Sequence, residues 1–235
     1  MKELVIIGAG LGPESITLKG INELKRADIV LYDRLLHPDT LKFADGKEMV
    51  QVGKTPYKHC IRQDEINVLI KKYLGEDKIV ARLKGGDSTV FARSIEEIEA
   101  AEEMGAQVSI VPGVTSAATL SAKMRSALTD RRSASGVVFI TGHPKNGEIT
   151  ETYNWQAMAA LGLTIVIYMG VKNASKIAKK LIENGMEPSV KVLIGEKMDT
   201  DEERLFECSL GNIAEFISEN SIENPATIVI GNIGD

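Results

Sequence analysis

Glycine and carboxylate residues stand directly after short apolar runs, where a predicted strand gives way to a loop. Gly85, Gly86 and Asp87 follow the run 79–83, and Asp33 follows the run 29–32. Residues without side chains let the backbone approach a ligand closely, and open α/β sheets bind ligands beyond the carboxyl ends of their strands. The spacing therefore predicts a ligand site with an acid–base group beside it. The structural alternative for Asp33 is a cap on the next turn.

An earlier glycine loop, Gly8-Ala9-Gly10-Leu11-Gly12, follows the apolar run 4–7 and is typical of a dinucleotide-binding unit. Asp33 comes about 20 residues later, the position of the ribose-binding acid in nicotinamide-binding proteins. Pro13, however, stands where that fingerprint needs glycine or alanine for close packing of helix on strand. The mismatch favours a tight turn that needs glycine dihedrals over a nicotinamide or flavin site.

Basic side chains are the candidates for binding an anion. The formal net charge is −5, so the chain has no global field for nucleic acid and an anion site must be a local cluster. Arginine suits carboxylates because its planar fork makes two parallel hydrogen bonds. The candidates are Arg34, Lys54, Arg82, Arg93 and the Arg131-Arg132 pair. Some of them are expected to be solvated surface residues instead.

We expect neither a metal nor a membrane. The histidines and cysteines are His37, His59, His143, Cys60 and Cys208, and their spacing resembles no zinc site. Two cysteines cannot form a disulfide framework, which indicates a reducing cytoplasm. The run 4–7 is too short for a signal peptide, and no run approaches the ~18 apolar residues of a membrane span.

The elements that position these residues alternate between short apolar runs and amphipathic stretches, which predicts an α/β fold. The 235 residues, 43% hydrophobic and 26% charged, allow one large domain or two small ones. The predicted strands are 4–7, 29–32, 79–83, 108–111, 137–141, 163–168, 190–194, 204–208 and 226–230. The predicted helices are 14–26, 63–74, 95–104, 116–125, 174–184 and 213–218. The run 204–208 alternates as an edge or antiparallel strand does. Pro112-Gly113 suits a change of direction and divides two predicted lobes, 1–113 and 114–235.

Several motifs follow one another in an order more specific than any one of them. They are Leu18-Lys19-Gly20, Tyr32-Asp33-Arg34-Leu35, Val52-Gly53-Lys54, Arg82-Leu83-Lys84-Gly85-Gly86-Asp87, Val111-Pro112-Gly113-Val114-Thr115-Ser116-Ala117, Leu128-Thr129, Thr141-Gly142-His143, Tyr168-Met169-Gly170 and Pro225-Ala226. Through these motifs, from about Val5 to Gly231, the chain resembles the uroporphyrinogen-III C-methyltransferase family of the tetrapyrrole methyltransferase superfamily.

The resemblance implies two α/β lobes with mixed, mostly parallel sheets, an active-site cleft between them, and a homodimer. It implies transfer of methyl groups from S-adenosylmethionine to C2 and C7 of uroporphyrinogen III, leaving S-adenosylhomocysteine. The product is precorrin-2, formed by way of precorrin-1, which feeds sirohaem and cobalamin biosynthesis. The superfamily's chemistry needs no metal.

The resemblance also implies roles for individual residues. Asp33 would accept the proton, and Lys54 would be its proton-donating or substrate-anchoring partner; the alternative for Lys54 is a solvated surface lysine. Arg82 and Arg93 would bind carboxylates of the substrate. The methyl donor would contact Leu11, Gly85, Gly86, Asp87, Val90, Thr115 and Ser116, with Met169, Met198, Pro225 and Ala226 from the second lobe. Core filling is the alternative for Met169, and Met198 is assigned by spacing alone.

The chain departs from the family's pattern in the first loop and around three later motifs. Leu11 stands for a proline with no aspartate before Pro13, Ser88 for a proline, Ala92 for a glycine and Asp130 for a histidine. These departures leave the donor site largely intact but keep the choice of tetrapyrrole open. The alternatives are a methyltransferase for a later precorrin or cobalt-precorrin, a nicotinamide-dependent oxidoreductase, and an inactive relative that only binds tetrapyrrole.

Overall fold

The computed structural model describes residues 2–34, 36–52, 62–145 and 147–231. The chain divides into two compact units, Met1–Ser116 and Ala117–Asp235. Each unit contains one five-stranded sheet.

The first unit is a parallel sheet with helices on both faces. Its strands are β1 (Glu3–Gly8), β2 (Ile29–Tyr32), β3 (Glu48–Gln51), β4 (Ile79–Lys84) and β5 (Gln107–Val111). Its helices are α1 (Leu18–Arg26), α2 (Gln63–Gly75) and α3 (Ser94–Glu102). The strand order is β3-β2-β4-β1-β5, and every neighbouring pair is parallel. The carboxyl ends of all five strands therefore lie along one edge of the sheet.

Alternate residues of β1 point to opposite faces, as the twofold repeat of a strand requires. Leu4 and Ile6 belong to a core cluster with Ile70 and Leu74 of α2. Val5 and Ile7 belong to a second cluster with Leu24 of α1. Burial on both faces explains why this strand is a continuous apolar run rather than an alternating one.

The second unit is a mixed sheet. Its helices are α4 (Ser116–Lys123, beginning at the last residue of the first unit), α5 (Ile149–Thr152), α6 (Trp155–Ala160), α7 (Ala174–Glu183) and α8 (Ile213–Glu219). Its strands are β6 (Val137–Thr141), β7 (Thr164–Tyr168), β8 (Lys191–Glu196), β9 (Arg204–Ser209) and β10 (Ala226–Ile230). The order is β6-β7-β10-β8-β9, with β6 and β7 parallel and the other neighbours antiparallel. Trp155, Ile177, Leu181 and Ile213 are among its buried core residues.

The predicted α/β class with two mixed, mostly parallel sheets is confirmed, although the antiparallel pairs all lie in the second unit. The prediction for 204–208 is also confirmed, because β9 is an edge strand antiparallel to β8. None of the helices in the described part of the chain is long and apolar enough to cross a membrane.

The predicted helix 14–26 is wrong in its first turn. Pro13–Ser15 form a separate 3₁₀ turn, and α1 begins at Leu18. Thr17 caps α1, since its side-chain oxygen accepts a hydrogen bond of 3.0 Å from the Gly20 amide. Two helices and one strand were missed: α5, α6 and β3. β3 lies at the sheet edge with mostly exposed side chains, so no apolar pattern marks it.

Candidate active site

Three loops meet at the carboxyl edge of the first sheet, and glycines bring them together. Gly10, after β1, and Gly86, after β4, exchange backbone hydrogen bonds of 3.0 and 2.8 Å. Gly113, after β5, packs against both loops: a Cβ there would lie 2.3 Å from the Gly86 oxygen and 2.6 Å from the Gly8 carbonyl carbon. Only glycine fits at this contact, so the three loops form one backbone-lined surface.

Asp87 ties two of these loops together. Its Oδ2 accepts a hydrogen bond of 2.9 Å from the Gly113 amide, and its Oδ1 accepts one of 2.7 Å from the Thr89 amide. Burial tends to raise the pKa of Asp87, but the bonds from Thr89 and Gly113 outweigh it and hold the pKa below its ordinary 3.8. The ionised carboxylate therefore fixes the shape of the surface that the Gly85-Gly86 backbone presents.

Gly86 lies over a hollow. It is buried and has a φ of +72°, yet no described atom lies within 4 Å of the position a Cβ would take. A buried residue beside side-chain-sized space is the kind of cradle in which backbone contacts a ligand. Five other predicted residues on these loops are partly buried: Gly85 and Val90 after β4, Leu11 after β1, and Thr115 and Ser116 after β5. The predicted donor-binding residues of the first unit thus lie on the loops of a single sheet edge.

Ser88 explains one departure from the family's pattern. Its side chain is fully buried, and its hydroxyl donates a hydrogen bond of 3.0 Å to the Val111 carbonyl at the end of β5. The Ser94 hydroxyl donates to the Ser88 carbonyl at 2.5 Å. A proline at 88 could not donate the first bond, so this chain fastens the loop after β4 to β5 by another means.

Asp33 follows β2 directly, at the same edge of the sheet. Its amide donates a hydrogen bond of 3.3 Å to the Leu83 carbonyl of β4. Its side chain is 31% exposed, and its Oδ1 accepts a hydrogen bond of 2.5 Å from Nη2 of Arg82. One end of the carboxylate is held by a buried cation while the group still reaches solvent, which suits acid–base chemistry at this edge.

Arg82 is buried beneath Asp33 rather than at the surface. Its side chain is 2% exposed, and besides Asp33 it donates to Glu97 Oε1 at 3.0 Å and to the Leu83 carbonyl at 3.0 Å. Burial tends to lower the pKa of Arg82, but Asp33 and Glu97 together raise it. These contacts engage the guanidinium inside the protein, so we assign Arg82 to the support of Asp33 rather than to a substrate carboxylate.

Arg93 lies at the start of α3 and is exposed, with a φ of +54° and an ion pair of 2.7 Å to Glu96. It is therefore the more accessible of the two predicted substrate-binding arginines. Lys54, the predicted partner of Asp33, lies outside the described residues.

In the second unit, four predicted residues lie at one edge of the sheet. β10 is antiparallel to β7 and β8, so its first residue lies beside their last residues. Ala226 pairs with Glu196, and the Lys197 amide donates a hydrogen bond of 2.9 Å to the Pro225 carbonyl. Met169 and Met198, which follow β7 and β8, are thereby brought to the edge where Pro225 and Ala226 stand.

The two methionines differ in their surroundings. Met169 has a φ of +55° and is 47% exposed, so it does not fill the core. Met198 is 7% exposed and covers Gly195, where a Cβ would lie 2.4 Å from the methionine sulfur. Met169 is therefore free to contact a ligand at this edge, while Met198 shapes the edge by packing on the glycine.

Asp130 stands where the family has histidine, and its negative charge is balanced by a neighbouring arginine. Its carboxylate accepts hydrogen bonds from the Arg132 side chain at 2.6 Å and from the Arg132 amide at 2.8 Å. These bonds lower the pKa of Asp130 to about 2. The added acid is thus paired with Arg132, so its presence need not repel an anionic substrate.

Glu97 and Gly113 are the residues at this site that sequence reasoning missed. Arg82 and Lys84 alternate on β4, so they share one face and must meet an anion if that face is buried. That signal is present in the sequence, but it does not identify which of the many acidic residues supplies the anion.

The geometry disfavours the nicotinamide alternative. A dinucleotide-binding unit pairs β2 with β1 and opens a helix directly after the glycine loop. Here β4 lies between β1 and β2, and the loop runs into a 3₁₀ turn before α1 begins at Leu18. Within the described residues, no group of three or more histidine, cysteine or acidic side chains is arranged to hold a metal ion.

Comparisons with known proteins agree with the motifs. A family model described as Tetrapyrrole (Corrin/Porphyrin) Methylases matches residues 3–214. A uroporphyrinogen-III C-methyltransferase of Bacillus subtilis is 38% identical over 99% of this chain and 91% of its own length. The chain spans about half the length of other relatives, such as 49% of the Tolumonas auensis siroheme synthase, which is 39% identical over 98% of this chain.

Two solved structures are similar over nearly the whole chain. The uroporphyrin-III C-methyltransferase of Thermus thermophilus, complexed with S-adenosylhomocysteine, has a TM-score of 0.80 and 34% identity over 97% of this chain and 92% of its own. A cobalamin biosynthetic enzyme, cobalt precorrin-4 methyltransferase, has a TM-score of 0.86 and 26% identity over 98% of this chain and 95% of its own.

Proposed function

Because the chain belongs to the tetrapyrrole (corrin/porphyrin) methylase family, we propose that it methylates uroporphyrinogen III at C2 and C7 with S-adenosylmethionine as donor. The product is precorrin-2, formed by way of precorrin-1. The observation that carries this assignment is the 38% identity, over 99% of the chain, to a relative named for that activity.

The proposed activity differs from the other activities of the family in its substrate, not in its fold. The cobalt precorrin-4 methyltransferase has the higher TM-score of the two structures but only 26% identity, against 34% for the Thermus enzyme. Backbone shape is common to both, so sequence identity is the better guide to the side chains that meet the tetrapyrrole. It favours uroporphyrinogen III over a later precorrin or cobalt-precorrin.

The described residues fit a methyl donor. The sulfonium supplies an electrophilic methyl group, and catalysis then depends on holding the attacking carbon in line with it at ~3–3.5 Å. Gly86 exposes backbone over a hollow, and the neighbouring Asp87 ties its loop to Gly113. We assign donor contacts to the residues predicted for that role: Leu11, Gly85, Gly86, Val90, Thr115, Ser116, Met169, Pro225 and Ala226, with Asp87 and Met198 shaping the loops that carry them.

Asp33 takes up the proton that the methylated carbon skeleton must lose. Its carboxylate is half-buried, is oriented by Arg82 and reaches solvent, so it can accept a proton and pass it to water. Lys54 retains its predicted role as partner of Asp33. Arg93, exposed near the same edge, binds a substrate carboxylate.

We further propose a homodimer in the cytoplasm, with precorrin-2 feeding sirohaem and cobalamin synthesis. The support is family membership for the dimer and the low cysteine content for the compartment. Sedimentation of the purified chain tests the dimer: a single species at twice the monomer mass is expected, and a monomer at micromolar concentration contradicts it.

The activity is tested by incubating the protein with uroporphyrinogen III and isotopically labelled S-adenosylmethionine. The masses of the products are then measured by mass spectrometry. Two transferred methyl groups are expected. Transfer to a later precorrin but not to uroporphyrinogen III would favour the sister activity. Donor binding without any transfer would favour an inactive tetrapyrrole-binding relative.

A further inference from the structure

Three charged side chains are buried together under the edge of the first sheet. Glu97 of α3 is completely buried, and its two oxygens accept from Arg82 Nε at 3.0 Å and from Lys84 Nζ at 2.6 Å. Gln63, the first residue of α2, donates to the same carboxylate at 3.2 Å. Glu97 thus joins two cations of β4 to the start of a second helix.

Filling a core with charged side chains is energetically unfavourable compared with filling it with apolar ones. Removing a charge from water costs several kcal/mol, and apolar side chains of similar size often stabilise a fold as well or better. Burial is the main reason that the pKa of Lys84 is lowered, and the Arg82 charge lowers it further while Glu97 opposes this. Stability alone therefore does not account for keeping these ionisable groups here.

Arg82 is the member of this cluster that hydrogen-bonds to Asp33. Arg82 uses Nε for Glu97, Nη1 for the Leu83 carbonyl and Nη2 for Asp33. A guanidinium is rigid and planar, so fixing two of its nitrogens fixes the direction in which the third points. Glu97 and the Leu83 carbonyl together therefore determine where Nη2 meets the Asp33 carboxylate.

We propose that Glu97 is a positioning residue: through Arg82 it holds Asp33 in the orientation needed to accept the proton. Lys84 is the second cation that the buried Glu97 carboxylate contacts. The inference rests on the proposed role of Asp33, but it adds a residue on α3 that belongs to none of the motifs used to predict the site.

The test is a double-mutant cycle on methyl transfer to uroporphyrinogen III. Glu97→Gln keeps the shape and removes the charge. We expect kcat to fall about tenfold, while the KM for uroporphyrinogen III and the Kd for S-adenosylhomocysteine stay within about twofold. In an Asp33→Asn background the same change should lower kcat by less than about twofold, because the residue it positions is gone. Equal effects in both backgrounds, or an unchanged kcat, would overturn the proposal.

Glu99→Gln is the matched control, since Glu99 is exposed on the same helix and the substitution is identical. It should leave kcat unchanged. If Glu97→Gln does not fold, Arg82→Lys replaces it: the charge stays but the fork is lost, and the same fall in kcat and the same loss of effect in the Asp33→Asn background are expected.

A second readout does not depend on turnover. The Nε–H resonance of Arg82 should exchange slowly with water in the unaltered protein, and both Glu97→Gln and Asp33→Asn should shift it. A resonance that responds to neither change would contradict the coupling. Failure of the unaltered protein to methylate uroporphyrinogen III would count against the proposed function, and this resonance would still decide the positioning role.

Discussion

The amide of Gly113 donates a hydrogen bond of 2.9 Å to the carboxylate of Asp87, joining the loop after β5 to the loop after β4. The loops can approach this closely because neither Gly113 nor Gly8 carries a side chain: a Cβ at Gly8 would lie 2.6 Å from the Gly113 nitrogen. It leaves the Gly86 backbone facing a hollow at the edge of the sheet. The following predictions concern this surface and the charged groups beside it.

Filling the hollow should reduce donor binding. Gly86→Ala places a methyl group where no described atom lies within 4 Å, at a φ of +72°. The backbone strain should cost about 1–2 kcal/mol of stability, and the methyl group should weaken S-adenosylhomocysteine binding by at least about tenfold, or ~1.4 kcal/mol. Isothermal titration calorimetry measures the affinity.

Gly105→Ala is the control for that substitution. Gly105 has a similar φ of +63° and equally open space, but it lies before β5, at the other edge of the sheet. It should lose similar stability and keep its donor affinity. Equal affinity in Gly86→Ala and Gly105→Ala would remove Gly86 from the donor site.

The glycine contact itself should tolerate no side chain. In Gly113→Ala the new Cβ would lie 2.3 Å from the Gly86 oxygen, so backbone must move. We expect a loss of about 3 kcal/mol in the free energy of unfolding, measured by urea denaturation. A loss no greater than that of Gly105→Ala would show that the loops separate easily.

Asp87 should contribute stability that depends on pH. Its folded pKa is below the 3.8 of the free group, so its contribution is full above about pH 4 and falls as the pH drops through the folded pKa. Asp87→Asn should therefore lower the free energy of unfolding by about 1 kcal/mol near pH 7, a value reduced for partial exposure. The difference should shrink below pH 3.8. A gap between the two proteins that widens on acidification would contradict this assignment.

Arg93 should affect substrate capture more than chemistry. It is exposed and paired only with another surface group, Glu96, in the contacts described. Arg93→Ala should raise the KM for uroporphyrinogen III several-fold with kcat nearly unchanged, and the effect should weaken at high salt because the charges are screened. Lys71→Ala, which removes a partly exposed cation of α2 that pairs with Glu103, should leave KM unchanged.

The sequence predicts a residue's place well when that place depends only on the strand beside it in sequence. Asp33 could be placed at a sheet edge because the apolar run before it marks a strand, and Gly86 because paired glycines after a strand leave backbone exposed. Both inferences need only the residue and its own strand.

The burial of Arg82 could not be anticipated in the same way. Arg82 and Arg93 carry the same charge and lie close in sequence, yet Arg82 is buried and Arg93 is exposed. Arg82 is buried because Glu97 of α3 packs against β4, and only the folded structure brings Glu97 to that position. β3 escaped prediction for a related reason: its pairing with β2 at the sheet edge, and not its own pattern, makes it a strand.

The most direct test of the account compares the unaltered protein with Asp33→Asn, each supplied with uroporphyrinogen III and S-adenosylmethionine, by the mass of the tetrapyrrole formed. The unaltered protein should give the product with two added methyl groups. Asp33→Asn should form it at least about a hundredfold more slowly, the lower range of a general base's contribution, while binding S-adenosylhomocysteine with unchanged affinity. Equal rates of dimethylated product from the two proteins would contradict the assignment of Asp33 and of the edge around it as the active site.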